Sequence, residues 1–149
     1  IKTAPFPGFP TDLQAPFTAL MTIANGESKI TETIFENRMN HINLLKKMGA
    51  NIKLDKNIAF IKGVKTIKGM DLVASDLRSS AALIIAGIIA KGSSKIYGLE
   101  HLDRGYENFE SKLKILGIKI AREFSKRGYK EGKYKISQEP EEIPKCKAA

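Results

Sequence analysis

Apolar residues recur along this chain in two registers. Leu13, Phe17, Leu20 and Ala24 are spaced as one face of a helix, with Gly26 to end it and the Thr11–Gln14 spacing of a capping box to begin it. Residues 29–35, "KITETIF", alternate and predict a half-buried strand. In "ENRMNHINLLKKMG", Met39, Ile42, Leu45 and Met48 share one helical face, Lys46 and Lys47 occupy the last turn, and Gly49 is the stop. "NIKLDKN" and "IAFIKG" then predict a hairpin turning at Asp55 to Asn57. Residues 76–91 are apolar nearly all round, which predicts a helix buried between layers. After Glu123 the periodicity dissolves. "GKYKIS" is a candidate last strand there, and the remainder is expected to be a mobile tail.

The pattern occurs twice. "FPTDLQAPFTALMTIANG" and "VASDLRSSAALIIAGIIAKG" share Thr or Ser, Asp-Leu, a long apolar stretch and a closing Gly, with Asp12 aligned on Asp76. "SKI" at 28–30 returns at 94–96, Arg38 falls on Arg104, and Gly49 falls on Gly117. Each unit reads as strand, helix, strand, helix, strand. The expected fold is therefore mixed α/β, with one unit over 1–70, a second over 71–122 and an extension over 123–149.

Composition narrows the function classes. At 149 residues, 42% hydrophobic and 28% charged, the chain has the balance of a soluble globular protein. Its longest apolar run, 81–90, is about half of the ~20 residues that span a bilayer, so no membrane role is expected. The single cysteine, Cys146, fits a reducing compartment, and no basic-then-apolar leader stands at the start; cytoplasm is expected. The opening at Ile1 rather than Met is expected of a fragment or processed product. A net charge of +9 favours anionic partners. The lysines are scattered and aromatics are only 7%, which argues against nucleic acid. Solubility accounts for most of that charge, and a phosphate-rich small substrate is the sharper alternative.

Asp12 and Asp76 both fall at helix starts, where a carboxylate interacts favourably with the helix dipole. Capping suffices for Asp76, beside Ser75. Asp12 follows "PFPGFPT", whose three prolines stiffen the approach, as a positioned carboxylate requires, but from the residues alone capping is the favoured role for Asp12 too. Arg38, Arg78 and Arg104 stand out in a lysine-rich chain, because arginine offers a planar fork for phosphate or carboxylate. Pairing with Glu36 and Asp103 is the competing role for Arg38 and Arg104. His41 and His101 lack metal-ligand spacing, so no metal is expected, and neither a P-loop nor a G-x-S-x-G elbow occurs.

Four segments, "FPTDLQAPFTAL", "ITETIFENRMNH", "ASDLRSSAALIIAG" and "HLDRGYENFESKLKILG", closely resemble the UDP-N-acetylglucosamine enolpyruvyl transferase (1-carboxyvinyltransferase) family. They run in the family's order from about residue 3 to about residue 122. The shikimate-pathway enolpyruvyl transferases share the architecture, but "FENRMNH" and "HLDRGYEN" look like the sugar-nucleotide branch. The resemblance implies the inside-out barrel, or α-β prism, of repeated βαβαββ units, three to a domain with helices inside; about two units are present here.

It also implies a reaction of peptidoglycan synthesis. The 3′-hydroxyl of UDP-N-acetylglucosamine adds to C2 of phosphoenolpyruvate, C3 gains a proton, and phosphate then leaves. By the same resemblance Asp12 contacts the hydroxyl and takes its proton, and Ile34 binds the sugar nucleotide. Arg78 and Arg104 hold phosphoenolpyruvate, Arg104 also serving in catalysis, and Arg38 is a further site arginine. No cofactor is implied. The resemblance places the chain in the C-terminal part of the enzyme, without the Lys-Asn pair and the cysteine loop of the N-terminal half. Alone it is expected to be inactive. The alternative is a non-catalytic remnant that binds a nucleotide sugar or a protein.

Overall fold

The computed structural model describes residues 1–124 and 132–138. In the first repeat, β1 (Glu27–Thr31), β3 (Ile58–Lys62) and β2 (Asn51–Asp55) form an antiparallel sheet in that order, and Lys2 adds a parallel bridge to Thr31. The second repeat has the same plan. Its β4 (Asp71–Val73) runs parallel to β5 (Gly92–Tyr97), followed across the sheet by antiparallel β7 (Gly132–Gln138) and β6 (Ile120–Phe124). The registers match as well as the order. Ile61 lies between Ser28 and Ile52, and Ile136 lies between Ser94 and Ile120.

The strand expected over "GKYKIS" is therefore present, and it does in the second sheet what β3 does in the first. The second sheet accordingly continues past residue 122. Tyr134 and Ile136 point inward and are fully buried while Lys135 is exposed, the two-residue period of a strand covered on one face. The stretches 125–131 and 139–149, with Cys146 and the rest of the expected tail, lie outside the described residues.

The helices lie between the sheets. α1 (Gln14–Met21) packs on β1 and β3 and, on its other side, on α3 (Leu77–Ile89), which also covers β5 and β7. α2 (His41–Lys47) touches α1, α3 and β2; α4 (Leu99–Asp103) and α5 (Phe109–Ile115) complete the second repeat. The all-round apolar character of 76–91 has its cause here, since α3 meets neighbours on several sides. Met39, Ile42, Leu45 and Met48 are all buried, as their spacing predicts. Gly49 and Gly117 follow α2 and α5 with φ of 98° and 83°, the left-handed stop that favours glycine. Among the described residues no helix is long and apolar enough to cross a membrane.

Four local expectations are corrected. The face of α1 that goes inside carries Gln14, Ala15, Thr18 and Ala19, whereas Leu13 and Leu20 are about half exposed. Small residues at that face let α1 approach α3, where Ala81, Ala82 and Ala86 are also buried. The Thr11–Gln14 capping box does not form, because Thr11 turns to Glu32 and Gln14 is buried against Thr18 and Met39. The strand expected over 29–35 ends at Thr31, and the helix expected from Glu36 begins at His41. Residues 32–40 form a loop instead, held by side-chain hydrogen bonds described below.

Candidate functional site

The proline-rich approach delivers the chain into a single 3-10 turn, Thr11–Leu13, that runs straight into α1. Pro10 precedes it in extended backbone, and no side chain caps the turn. Asp12 is thereby left with its carboxylate 70% exposed and free to be approached. Two arginines reach it from different parts of the fold. Arg78, in the first turn of α3, donates from Nε to Asp12 Oδ1 at 2.7 Å and also from Nη2. Arg38, on the loop before α2, reaches the same oxygen from Nη1 at 3.4 Å. The cluster thus joins the two repeats at the N-terminal end of α3.

Arg38 is the more enclosed of the pair. Its guanidinium stacks on the Phe35 ring at 3.6 Å and donates to Thr11 Oγ1 at 2.9 Å. Burial, and then the charge of Arg78, pull its pKa below the ordinary value, while Asp12 and Glu32 oppose that shift. A guanidinium stays protonated through such a shift. Two cations held this close form a receptor for an anion, and here Asp12 is the anion present.

Asp76 has a different task. Its Oδ1 accepts from the N–H groups of Arg78 at 3.0 Å and Ser79 at 2.9 Å, so it is the N-cap of α3, as its sequence context predicts. Burial pushes its carboxyl up, but hydrogen bonds from Ser79, Ser75 and Arg78 outweigh that, and the net shift is down. The cap also orients Arg78 at the mouth of the site. Between the N-terminal ends of α2 and α3 lies a cavity of about 220 Å³, lined by Asn37, Arg38, Asn40, His41, Asp76, Arg78 and Ser79. His41 is 1% exposed and burial lowers its pKa to about 4, against the opposing charge of Asp76, so the ring is neutral at physiological pH. Its Nε2 has no hydrogen-bond partner among the described residues.

Arg104 stands apart from this cluster. It caps the C-terminal end of α4, with Nε directed at the Glu100 carbonyl at 3.4 Å and Nη2 at His101 Nδ1 at 3.0 Å. The next residue, Gly105, lies against Leu77, which keeps Arg104 near the start of α3. Neither candidate salt bridge is made. Arg38 turns to Asp12 rather than Glu36, and Asp103 takes a two-pronged bond from Arg122. Ile34 is 38% exposed on the loop after β1, its N–H already engaged by Glu32, which leaves its carbonyl for other contacts. Asp12, Arg38 and Arg78 are thus brought together; Arg104 lies outside their hydrogen-bond network, and Ile34 joins it only through its backbone N–H to Glu32.

Sequence reasoning missed Thr11, Asn37, Asn40 and His41 as parts of the site, and above all Glu32. One signal pointed to Glu32: in "KITETIF" it has the inward phase of Ile30, an acidic residue on the apolar side of a strand. An exposed carboxylate in the grasp of two guanidinium groups can do one thing readily. Exposed ion pairs contribute only about 0–1 kcal/mol, so a multiply charged ligand can displace Asp12 and leave it free as a proton acceptor.

Comparison with known proteins follows the same lines. Residues 1–113 match the EPSP synthase (3-phosphoshikimate 1-carboxyvinyltransferase) family. A UDP-N-acetylglucosamine 1-carboxyvinyltransferase of Prochlorococcus marinus strain MIT 9301 is 78% identical over all 149 residues, which cover 33% of that relative. The enzyme of the same name from Synechocystis sp. is 55% identical over 122 residues, 82% of this chain and 28% of its own length. The chain thus spans about a third of the length of the curated relatives it matches. Among solved structures, the enolpyruvyl transferase NikO from Streptomyces tendae is similar with a TM-score of 0.70 at 28% identity, covering 78% of this chain and 27% of that one. An EPSP synthase from Acinetobacter baumannii, at 13% identity and a TM-score of 0.53, shares the fold; the likeness covers 85% of this chain and 46% of that one.

Proposed function

The chain belongs to the EPSP synthase family of 1-carboxyvinyltransferases, and from that premise we propose that it forms part of an enzyme acting on UDP-N-acetylglucosamine. The reaction moves the enolpyruvyl group of phosphoenolpyruvate to the sugar 3′-hydroxyl with release of phosphate, the first committed step of peptidoglycan synthesis. The observation that carries this reading is the exposed Asp12 carboxylate clasped by Arg38 and Arg78 across the two repeats. The curated relatives at 78% and 55% identity bear the name of the sugar-nucleotide enzyme and supply the choice of acceptor.

In this mechanism the incoming anions take over the arginine forks and release Asp12. Asp12 accepts the 3′-hydroxyl proton as that oxygen bonds to C2 of phosphoenolpyruvate, and C3 takes a proton from an acid outside this chain. Phosphate then leaves as C3 gives a proton back, regenerating the double bond. Arg78 and Arg104 neutralise the carboxylate and phosphate of the donor, where charge-assisted forks act most strongly as charge develops. Arg38 steadies the anion beside Asp12, and the Ile34 carbonyl meets the nucleotide sugar. The remaining two thirds of the relatives' length supplies the other half of the cleft.

In the full-length enzyme, Asp12→Ala and Arg104→Ala are each expected to lower kcat by at least about a hundredfold, the scale of a lost general base or charge stabiliser. Steady-state phosphate release checks this, and unimpaired turnover in both variants would sink the assignment. The competing reading, a binding segment without catalysis, is favoured only by the chain's spanning a third of its relatives. Turnover by this segment alone would reject it.

A further inference from the structure

Glu32 is an acidic side chain with 1% exposure and a partner list made of neutral groups. Its Oε1 accepts from Thr3 Oγ1 at 3.0 Å, from Ile34 N–H at 2.8 Å and from Phe35 N–H at 3.2 Å. Its Oε2 accepts from Thr11 Oγ1 at 2.8 Å. Thr11, having given its only hydrogen to Glu32, must present lone pairs elsewhere, and there it receives Arg38 Nη1 at 2.9 Å. The result is a directed chain of hydrogen bonds from Glu32 through Thr11 to Arg38, ending at Asp12. Burial pushes the Glu32 carboxyl up, but the bonds from Ile34, Thr11, Thr3 and Phe35 prevail and it stays ionised at neutral pH.

The second repeat has no carboxylate at the matching position. Thr3 N–H bonds the Thr31 carbonyl at 3.0 Å, and Ala74 N–H bonds the Tyr97 carbonyl at the same distance, so the next residues, Glu32 and Gly98, are structural equivalents. Gly98 takes φ of 80° and leads straight into α4, and a Cβ there would meet the Ala74 carbonyl oxygen at 2.5 Å. Where the second repeat turns into a helix at a glycine, the first opens a loop whose backbone at Ile34 and Phe35 is held by the buried Glu32 carboxylate.

We infer that Glu32 is a positioning residue, setting Arg38 through the Thr11 hydroxyl and fixing the loop backbone at Ile34. This rests on the transfer reaction proposed above for the identity of the ligand, but the arrangement itself concerns any anion that Arg38 holds. In the full-length enzyme, Glu32→Gln keeps the shape and replaces the acceptor facing Thr11 by an amide N–H. That N–H competes with Arg38 for the Thr11 lone pairs. Thr11→Val removes the relay and leaves the Glu32 contacts to Thr3, Ile34 and Phe35 in place, whereas Thr11→Ser preserves it.

The test measures steady-state kinetics together with the calorimetric Kd for phosphoenolpyruvate, and thermal unfolding of each variant. Glu32→Gln and Thr11→Val are expected to raise KM and Kd for phosphoenolpyruvate about tenfold, the scale of one hydrogen bond to a charged group, with kcat changed less than about threefold. Thr11→Ser should stay within about twofold of the unsubstituted enzyme. In an Arg38→Lys background both substitutions should add almost nothing, since the fork they orient is gone. Unchanged KM and Kd in Thr11→Val, or losses fully additive with Arg38→Lys, would overturn the inference. Should Glu32→Gln merely unfold, Thr11→Val decides the matter. An unsubstituted enzyme that binds phosphoenolpyruvate without transferring it counts against the proposed reaction, and the Kd ratios still decide the role of Glu32.

Discussion

The two repeats carry out the same folding instructions and put different chemistry at matching places. Asp76 satisfies the backbone N–H groups of Arg78 and Ser79 and is thereby committed to holding its helix together. Asp12, its partner in the sequence repeat, caps nothing and keeps its carboxylate for two arginines. Arg38 is stacked and threaded into a hydrogen-bond chain, while Arg104 is tied to its own helix by Glu100 and His101. Glu32 is matched by Gly98. The first repeat thus leaves Asp12 uncommitted where the second spends Asp76 on a helix cap, and it carries a carboxylate at Glu32 where the second has none.

The comparison can be broken most forcefully in the shared frame. Ile61 and Ile136 fill the same register position in the two sheets, each with less than 2% exposure. Ile61→Ala and Ile136→Ala should each cost about 4 kcal/mol by leaving a cavity, and equal losses in urea unfolding would show that β7 is as integral as β3. A clearly smaller loss for Ile136→Ala would make β7 an accessory strand. Exchange of the corner residue comes next. Gly98→Glu, writing the first repeat's residue into the second, should cost about 3 kcal/mol, because φ is 80° and the added Cβ meets a carbonyl.

A third effect depends on pH. His41 has a folded pKa of about 4 against an ordinary 6.5, so the unfolded chain binds more protons between those values. Stability should therefore fall as pH drops from 6.5 towards 4, by up to about 3 kcal/mol, and His41→Gln should flatten that limb in a pH series of unfolding curves. The smallest effects separate the two aspartates. Asp76→Ala should cost about 1 kcal/mol by removing the helix cap. The lowered Asp76 carboxyl contributes stability above its ordinary value near 3.8 and loses it as pH falls through the folded value, so the variant should also show a shallower acid limb. Asp12→Ala should change stability by less than about 0.5 kcal/mol, since it removes an exposed ion pair. Equal losses from the two aspartate substitutions would erase the distinction drawn between them.

The parts of this molecule that could be read from its sequence are those governed by neighbours in the chain. The repeat, the buried face of Met39, Ile42, Leu45 and Met48, the Asp76 cap and the all-round burial of α3 depend on periodicity and local hydrogen bonding, which spacing records directly. The candidate residues Asp12, Arg38 and Arg78 were legible by residue type, and the resemblance to a family ordered them. Their mutual contact was not, because Asp12 and Arg78 stand 66 residues apart.

The tertiary structure alone decided the rest. Which side of α1 goes inside depends on how closely α3 can approach, and alanines permit an approach that the larger Leu13 and Leu20 would block. Thr11 forgoes its cap because Glu32 comes within 2.8 Å across the fold and offers a charged acceptor. β7 belongs to the second sheet because its backbone pairs with β5 on one side and β6 on the other, partners invisible in "GKYKIS" itself. Local sequence set what each segment preferred to be. Burial and the pairing of distant polar groups determined which preferences were kept.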